Sequence, residues 1–207
     1  VTIYYATYVM HASTTFITFF MTLGVACNML GSVIAKPLTD RFDKVKLFRF
    51  INIVLGLLSL WLYFIDPNNL YLLLPVFIVV NVLHLVQSGP ILWGMMSDVD
   101  DYGEYKLGKR LTGISFAGNL FMLKMGLAIA GSIVAWVLAY TGYIANEPQQ
   151  NEATLSGIVI MFSLMPMVCY FLSAVMVSFF KLDATFLATI KAELTKRSAQ
   201  ENTTHTA

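Results

Sequence analysis

The chain has 207 residues, of which 57% are hydrophobic and only 12% are charged, and its formal net charge is +1. A soluble globular domain usually has about a quarter of its residues charged, so this composition excludes a protein whose whole surface faces water. The apolar residues form long blocks, and stretches of about 18 or more with almost no charge are typical of membrane-spanning helices. We therefore expect an all-α, polytopic membrane protein.

The first segment, residues 1–12, is apolar but short. It lacks the basic start and small-residue cleavage site of a signal peptide. About ten residues cannot cross a hydrocarbon core of about 30 Å at a rise of about 1.5 Å per residue. We expect this stub to be the end of a truncated first helix, and the natural chain to start earlier.

Five full spans follow the stub, at about 14–35, 47–65, 70–96, 111–140 and 155–180. Together with the stub they make a transmembrane bundle over 1–180. Residues 181–207 form a tail, in which 183–196 has apolar residues at helical spacing and Asp183 as a possible cap. The tail is expected to contain a short amphipathic helix on the inner membrane surface.

Basic residues occur in every second connection. They are Lys36, Arg41, Lys44, Lys46 and Arg49 around the first connection, Lys106, Lys109 and Arg110 in the third, and Lys181, Lys191, Lys196 and Arg197 in the tail. The other connections, 66–69 and 141–153, contain no Lys or Arg. The positive-inside rule then places the basic connections and the C-terminus in the cytoplasm. A bacterial inner membrane is the expected location.

Lys124 lies in the middle of the fourth span. It is 14 residues from Arg110, about 20 Å along a helix, and a charge at mid-membrane costs at least a few kcal/mol (roughly 3) unless it faces a cavity or a partner. None of the acidic residues falls inside a span. We expect Lys124 either to be neutral or to pair with a part of the protein outside this chain, and we favour the second.

Other polar and aromatic residues at membrane depth are candidates for a ligand site. Asn119 precedes Lys124 by five residues, and Gln87 precedes the kink expected at Pro90 by one turn. Both can bond a hydroxylated ligand, although helix–helix hydrogen bonding is the alternative. Tyr5 in the stub offers a flat surface for a sugar ring, with core or lipid contact as the alternative. The predicted substrate-binding residues are Lys124, Asn119, Gln87 and Tyr5.

Two cytoplasmic connections carry motifs. The first, 36–46, resembles the loop signature of the major facilitator superfamily at Leu38, Asp40, Arg41 and Lys44, with Lys36 and Asp43 in place of its glycines. The second resembles the signature of the glycoside–pentoside–hexuronide:cation symporter family, the relatives of melibiose permease. Its residues are Asp98, Asp101, Tyr102, Glu104, Lys106, Gly108 and Arg110, followed by Lys124 at the family's lysine position.

This resemblance implies a twelve-helix fold of two six-helix bundles, with this chain as the second bundle. Substrate and cation then meet between the halves near mid-membrane. The family's cation site relies mainly on acidic residues of the first half, and these are the implied partners of Lys124. No cofactor and no metal site are expected in this chain, and the coupling cation is Na⁺ or H⁺. The expected partners are a small sugar or glycoside, membrane lipid and the N-terminal half, but no nucleic acid.

The second motif also predicts a cytoplasmic gate. Asp98, Asp101 and Glu104 are three residues apart, so on a helix they share a face. Arg41 or Arg110 can pair with them, and Asp40 belongs to the same charged region. Breakable ion pairs suit a gate in alternating access, while a solvated acidic face is the alternative.

The hypothesis with the most support is secondary active transport, in which a glycoside or related sugar moves with Na⁺ or H⁺. A non-transporting membrane scaffold or receptor-like bundle is the alternative. An enzyme is not expected, since no paired carboxylates, His/Cys cluster or Ser nucleophile motif lies at membrane depth.

Overall fold

The computed structural model describes residues 1–145, 147–180, 182 and 184–205, and every described element is helical or a turn. The helices are α1 (Thr2–Tyr4), α2 (Thr14–Arg41), α3 (Lys44–Phe64), α4 (Leu70–Val86), α5 (Leu92–Leu107), α6 (Thr112–Tyr140), α7 (Glu152–Phe162), α8 (Leu164–Ser178) and α9 (Ala184–His205). A π-helical turn, Tyr5–Val9, follows α1, and a second, Gln87–Ile91, joins α4 to α5. The all-α architecture expected from the sequence is confirmed.

Five helical stretches of the described chain are long and apolar enough to cross a membrane. They are α2, α3, the continuous run Leu70–Leu107, α6, and α7 with α8. Several helices extend beyond the spans expected from hydropathy. α2 runs through Pro37 to Arg41, and α5 carries the second motif from Asp98 to Lys106 as helix, with Gly108 and Arg110 in the turn that follows. Asp183, the suggested cap of the tail helix, lies outside the described residues.

Polar side chains define where the helices begin. The side chains of Ser13, Asp43 and Asn151 accept hydrogen bonds from the backbone N–H groups of Phe16, Lys46 and Thr154, respectively. These are N-caps, which satisfy backbone donors that have no partner within the helix. At the other end, α5 stops at Gly108, whose φ of 65° is a left-handed conformation that favours glycine.

The bundle is held by two apolar clusters. One lies around Phe20, Leu73 and Ile158, and the other around Leu55 and Ile91. α3 packs most extensively on α8, and α2 packs on α4. The α2–α4 contact is close because Gly31 has no side chain, and a Cβ atom there would lie 2.4 Å from the carbonyl oxygen of Val82.

Two of the long helices are broken. Gly89 in the second π-helical turn has φ −94° and ψ −106°, which is not helical, and Pro90 follows it. α7 and α8 are separated at Ser163, three residues before Pro166. Proline removes a backbone donor and clashes with the preceding turn, so both interruptions follow from the sequence.

α6 packs loosely on the remaining helices. It contacts α5 and α7 near its ends, and only Leu138 among its residues is buried. Its most apolar 18-residue stretch contains no buried residue. The middle of α6, residues 120–133, is therefore exposed in the part of the chain that the structure describes.

Candidate functional site

A cluster of charges joins three helices at one end of the bundle, which we call the basic end because it carries the α2–α3 and α5–α6 turns. Asp98 of α5 is buried, with its side chain 3% exposed. Its carboxylate lies 2.7 Å from Lys44 Nζ of α3 and 3.2 Å from Lys191 Nζ of α9. A buried carboxylate is costly unless it is paired and hydrogen-bonded. The two lysines meet that requirement and fix the tail helix against α5.

Arg110 forms the second part of this cluster. Its guanidinium lies 3.5 Å from Asp100, 3.7 Å from Asp101 and 3.8 Å from Glu104. Asp100 also accepts hydrogen bonds from Thr112 Oγ1 and Ser115 Oγ, at the start of α6. Arg110 is 59% exposed, so each pair is screened by water and weak by itself. Together the contacts tie α6 to the acidic face of α5.

The structure brings most of the predicted gate residues together. Asp101 lies 3.8 Å from Lys191 and also pairs with Arg110. Asp40 and Arg41 are exposed at the end of α2, and neither forms an ion pair within the described chain. Of the two arginines suggested as partners of the acidic face, Arg110 fills that position in this structure and Arg41 does not.

Three members of the cluster were not among the predicted gate residues: Lys44, Asp100 and Lys191. Lys44 had a signal, since it fits the first loop motif. Lys191 is 93 residues from Asp98 in the sequence, so no local pattern links them. Lys44 Nζ also donates a hydrogen bond to the backbone carbonyl oxygen of Gly94 at 3.5 Å.

Lys124 lies on the free middle of α6 and is exposed. It pairs with no carboxylate in the part of the chain that the structure describes. Asn119 lies about 140° away around the same helix, since five residues at 3.6 per turn do not return to one face. Its amide nitrogen is 3.0 Å from the sulfur of Met96, a weak acceptor. This contact turns Asn119 toward α5.

Gln87 occupies the first position of the π-helical turn and is 7% exposed. Its side-chain oxygen is buried and has no hydrogen-bond partner among the described residues. A buried acceptor without a donor is costly, so the site favours a ligand, a water molecule or another donor at this position.

Tyr5 lies in the core, which is the alternative to its predicted contact with a ligand. Its ring is 1% exposed and stacks on Phe162 at 4.1 Å between centroids. Its face is therefore occupied by the core, and the suggested stacking of a sugar on Tyr5 is not offered by this arrangement. Aromatic residues supply core packing as readily as ligand contacts, and the sequence does not distinguish the two.

The neighbouring tyrosines also find partners within the chain, at the end opposite the basic end. The hydroxyl groups of Tyr8 and Tyr143 are 2.8 Å apart, and Tyr4 packs edge-on against Tyr143. The hydrogen bond with Tyr8 is the main cause that raises the pKa of Tyr143 to about 12. Tyr143 is therefore neutral at physiological pH, and its hydrogen bond with Tyr8 connects the N-terminal segment to the α6–α7 connection.

A cavity of about 270 Å³ lies between α3, α4, α7 and α8. Its polar lining includes Ser59, Asn81 and the pair His84–Tyr170, whose ring nitrogen and hydroxyl are 3.0 Å apart. Within the described residues, no three His, Cys, Asp or Glu side chains are close enough together to hold a metal ion. The arrangement suits hydrogen bonding to neutral polar groups.

Comparisons with known proteins find a family of sugar transporters and several membrane symporters. A family model for MFS/sugar transport proteins matches residues 1–184. The chain is 44% identical to the inner membrane symporter YicJ of Escherichia coli K12, over 97% of this chain and 44% of that protein. It is 36% identical to the putative glycoside/cation symporter YagG of the same organism, over 97% of this chain and 43% of that protein.

A third relative is the isoprimeverose transporter of Lactiplantibacillus pentosus, which is 31% identical over 98% of this chain and 41% of that protein. The chain thus spans less than half the length of these three relatives. No solved structure gives a significant match. The family match over residues 1–184, with the motif from Asp98 to Arg110 and the five apolar helices, leads to one conclusion: this multi-pass membrane chain belongs to the glycoside–pentoside–hexuronide symporters of the major facilitator superfamily.

Proposed function

We propose that this chain is the C-terminal six-helix bundle of a twelve-helix symporter, which moves a glycoside or related sugar together with Na⁺ or H⁺. The relatives support the substrate class, since one is named a glycoside/cation symporter and another transports isoprimeverose. The chain accounts for less than half of each relative. A second bundle of similar size is then the N-terminal half of the same protein.

The observation that carries this proposal is Lys124 on the free middle of α6. A cation in an apolar helix is stable only beside a counter-charge or a hydrated cavity. The described chain provides no carboxylate there, and α6 has no buried residue around it. An N-terminal half with carboxylates at membrane depth would supply the counter-charge of Lys124 and would also cover the exposed surface of α6. The sugar and the coupling cation then bind in the interface between the halves.

In this account each polar residue of the interface has its own role. Lys124 bonds the substrate or the carboxylates of the cation site, as a compact donor of three hydrogen bonds. Asn119 lies beside α5 and offers an amide to sugar hydroxyls. Gln87 has a buried oxygen without a partner among the described residues, at the break between α4 and α5, and offers it to a sugar hydroxyl.

The charged cluster at the basic end acts as part of the cytoplasmic gate. Its ion pairs with Arg110 are 3.5 to 3.8 Å long and partly exposed, so each breaks at a small cost in free energy. Alternating access requires a closed state that is stable but reversible. The positive-inside rule places this end, with the C-terminus, on the cytoplasmic side of a bacterial inner membrane.

The proposal is tested with the full-length protein in proteoliposomes. Uptake of radiolabelled β-glycosides is measured with an imposed Na⁺ gradient, an imposed H⁺ gradient, or neither. The proposal expects accumulation of at least one glycoside above equilibrium with one of the gradients. Equal filling under all three conditions, for every sugar of the panel, would reject symport.

A further inference from the structure

α3 has two sharply different faces. The buried face consists of Leu47, Phe48, Ile51, Asn52, Leu55, Gly56, Ser59 and Leu62. The opposite face is exposed along its whole length, at Phe50 (64%), Ile53 (40%), Leu57 (55%), Trp61 (50%) and Phe64 (72%). These residues recur every three or four positions, so they form one apolar stripe.

Two cations extend this stripe at the basic end. Lys46 and Arg49 are exposed and lie three residues apart, on the same side of α3 as Phe50 and Ile53. Neither forms an ion pair with any described residue. The nearest carboxylate along the chain, Asp43, accepts a hydrogen bond from the backbone N–H of Lys46 as the cap of α3. The side-chain charges of Lys46 and Arg49 are thus available to an external anion.

The surrounding segment reinforces this charge. Residues 36–49 contain five basic and two acidic side chains, and among the basic ones Lys44 is already paired with Asp98. Lys36 and Arg41 are exposed and form no ion pair in the described chain. The local field next to Arg49 is therefore positive, which attracts anions.

We propose that this face of α3 binds an anionic phospholipid, with its phosphate between Lys46 and Arg49 and its acyl chains along Phe50, Ile53 and Leu57. The length of the stripe agrees with the thickness of a membrane, since Lys46 and Phe64 are about 27 Å apart along a helix and the hydrocarbon core is about 30 Å thick. Trp61 then lies near the opposite interface, where tryptophan is enriched. Unpaired cations at one end of an apolar stripe complement an anionic leaflet.

A lipid fits this surface better than another protein segment. A covering helix would bury two cations and would have to supply two carboxylates at the same depth, at a high desolvation cost. A lipid phosphate remains at the water interface and meets both cations without being buried. The site is separate from α6 and Lys124, so the inference stands whether or not transport is shown.

The test titrates dioleoylphosphatidylglycerol into the full-length protein in a non-ionic detergent and counts bound lipids by native mass spectrometry. Dioleoylphosphatidylcholine is the neutral comparison. The variant is Lys46→Gln/Arg49→Gln, and the matched control is Lys109→Gln/Lys196→Gln, which removes two exposed lysines of the same end away from α3. The variant Lys46→Arg/Arg49→Lys keeps both charges, and it shows whether changing these two side chains alters lipid binding for reasons other than charge.

We expect the Lys46→Gln/Arg49→Gln variant to bind phosphatidylglycerol about 25-fold more weakly, with about a fivefold loss from each charge. Phosphatidylcholine binding, the control variant and the charge-preserving variant should change less than about threefold. The proposal is overturned if the control variant loses as much affinity, or if phosphatidylcholine binds as tightly. It is also overturned if millimolar glycerol phosphate displaces the lipid, because the site would then recognise a soluble anion.

Discussion

Asp98 of α5 lies 3.2 Å from Lys191 of the tail helix, although 93 residues separate them in the sequence. Lys44 of α3 approaches the same carboxylate from the other side at 2.7 Å. One buried acid in the middle of α5 thus joins this helix to the start of α3 and to the tail. The tail is fixed to the bundle by this contact rather than by the membrane surface alone.

The first prediction concerns this joint. Asp98→Asn removes the charge that pairs with both lysines while keeping the shape of the side chain. We expect a loss of about 1–3 kcal/mol in the free energy of unfolding, since a buried group loses its charged partners. Trypsin should also cleave after Lys191 several times faster, as the tail detaches. Thermal unfolding in detergent and timed proteolysis measure the two effects.

Glu193→Gln is the matched control for Asp98→Asn. Glu193 also pairs within the tail helix, with Arg197 at 3.7 Å, but both side chains are nearly half exposed. Such a pair contributes less than about 0.5 kcal/mol. If the two variants unfold at the same temperature and are cleaved at the same rate, Asp98 does not anchor the tail.

The second prediction concerns Arg110, which contacts Asp100, Asp101 and Glu104. Arg110→Gln leaves these carboxylates close together without their shared cation. We expect the turnover of transport to fall by about tenfold or more, while the sugar concentration at half-maximal rate changes less than about twofold, because the proposed gate is separated from the proposed sugar site at Lys124. Initial rates over a range of sugar concentrations measure both quantities.

Lys109→Gln provides the comparison for Arg110→Gln. Lys109 is the preceding residue in the same turn, is exposed, and forms no ion pair among the described residues. Its substitution should leave the turnover within about twofold of the original protein. An equal loss in both variants would indicate that general charge, rather than the pairs of Arg110, matters at this end.

The third prediction concerns the close contact of α2 and α4. Gly31→Ala places a methyl group 2.4 Å from the carbonyl oxygen of Val82, so the helices must move apart. Overpacking of this kind costs about 1–3 kcal/mol. Gly103→Ala, where nothing lies within 4 Å of the new Cβ, should be neutral or slightly stabilising because alanine favours helix. Equal melting temperatures of Gly31→Ala and Gly103→Ala would contradict the close approach of α2 and α4 at Gly31.

The fourth prediction concerns the break between α4 and α5. Pro90→Ala restores a backbone donor at the π-helical turn Gln87–Ile91. We expect a gain of about 1 kcal/mol in stability, with turnover reduced several-fold, because a straighter helix opposes the change of shape that transport requires. Pro75→Ala, within the continuous helix α4, should not slow turnover. Unchanged turnover in Pro90→Ala would show that the break is not a hinge.

Much of this fold follows directly from the sequence. Apolar runs of sufficient length fix the five spans, since a helix that satisfies its own backbone is favoured in lipid. The helix ends are less well predicted. α2 continues through Pro37 to Arg41, six residues beyond the end of the span expected from hydropathy. Hydropathy marks only the apolar part of such a helix.

The charged cluster could be predicted in part. The spacing of Asp98, Asp101 and Glu104 places them on one face, where Asp101 and Glu104 pair with Arg110 and Asp98 pairs with two lysines. The contribution of Lys191 depends on the docking of α9, which no local pattern specifies. The sequence left two interpretations of Tyr5, a ligand surface or a core contact, and in this structure its ring packs on Phe162. For both Lys191 and Tyr5, the contact depends on a partner that is distant in the sequence.

Lys124 tests the central claim most directly. We would measure gradient-driven glycoside uptake by the full-length protein in proteoliposomes, with Lys124→Gln beside the unchanged protein and Lys124→Arg as the charge-preserving variant. The account predicts that Lys124→Gln loses accumulation by about tenfold or more, while the purified variant melts within a few degrees of the parent. Undiminished, cation-driven accumulation by Lys124→Gln would contradict the assignment of Lys124 to the interface in which sugar and cation are bound.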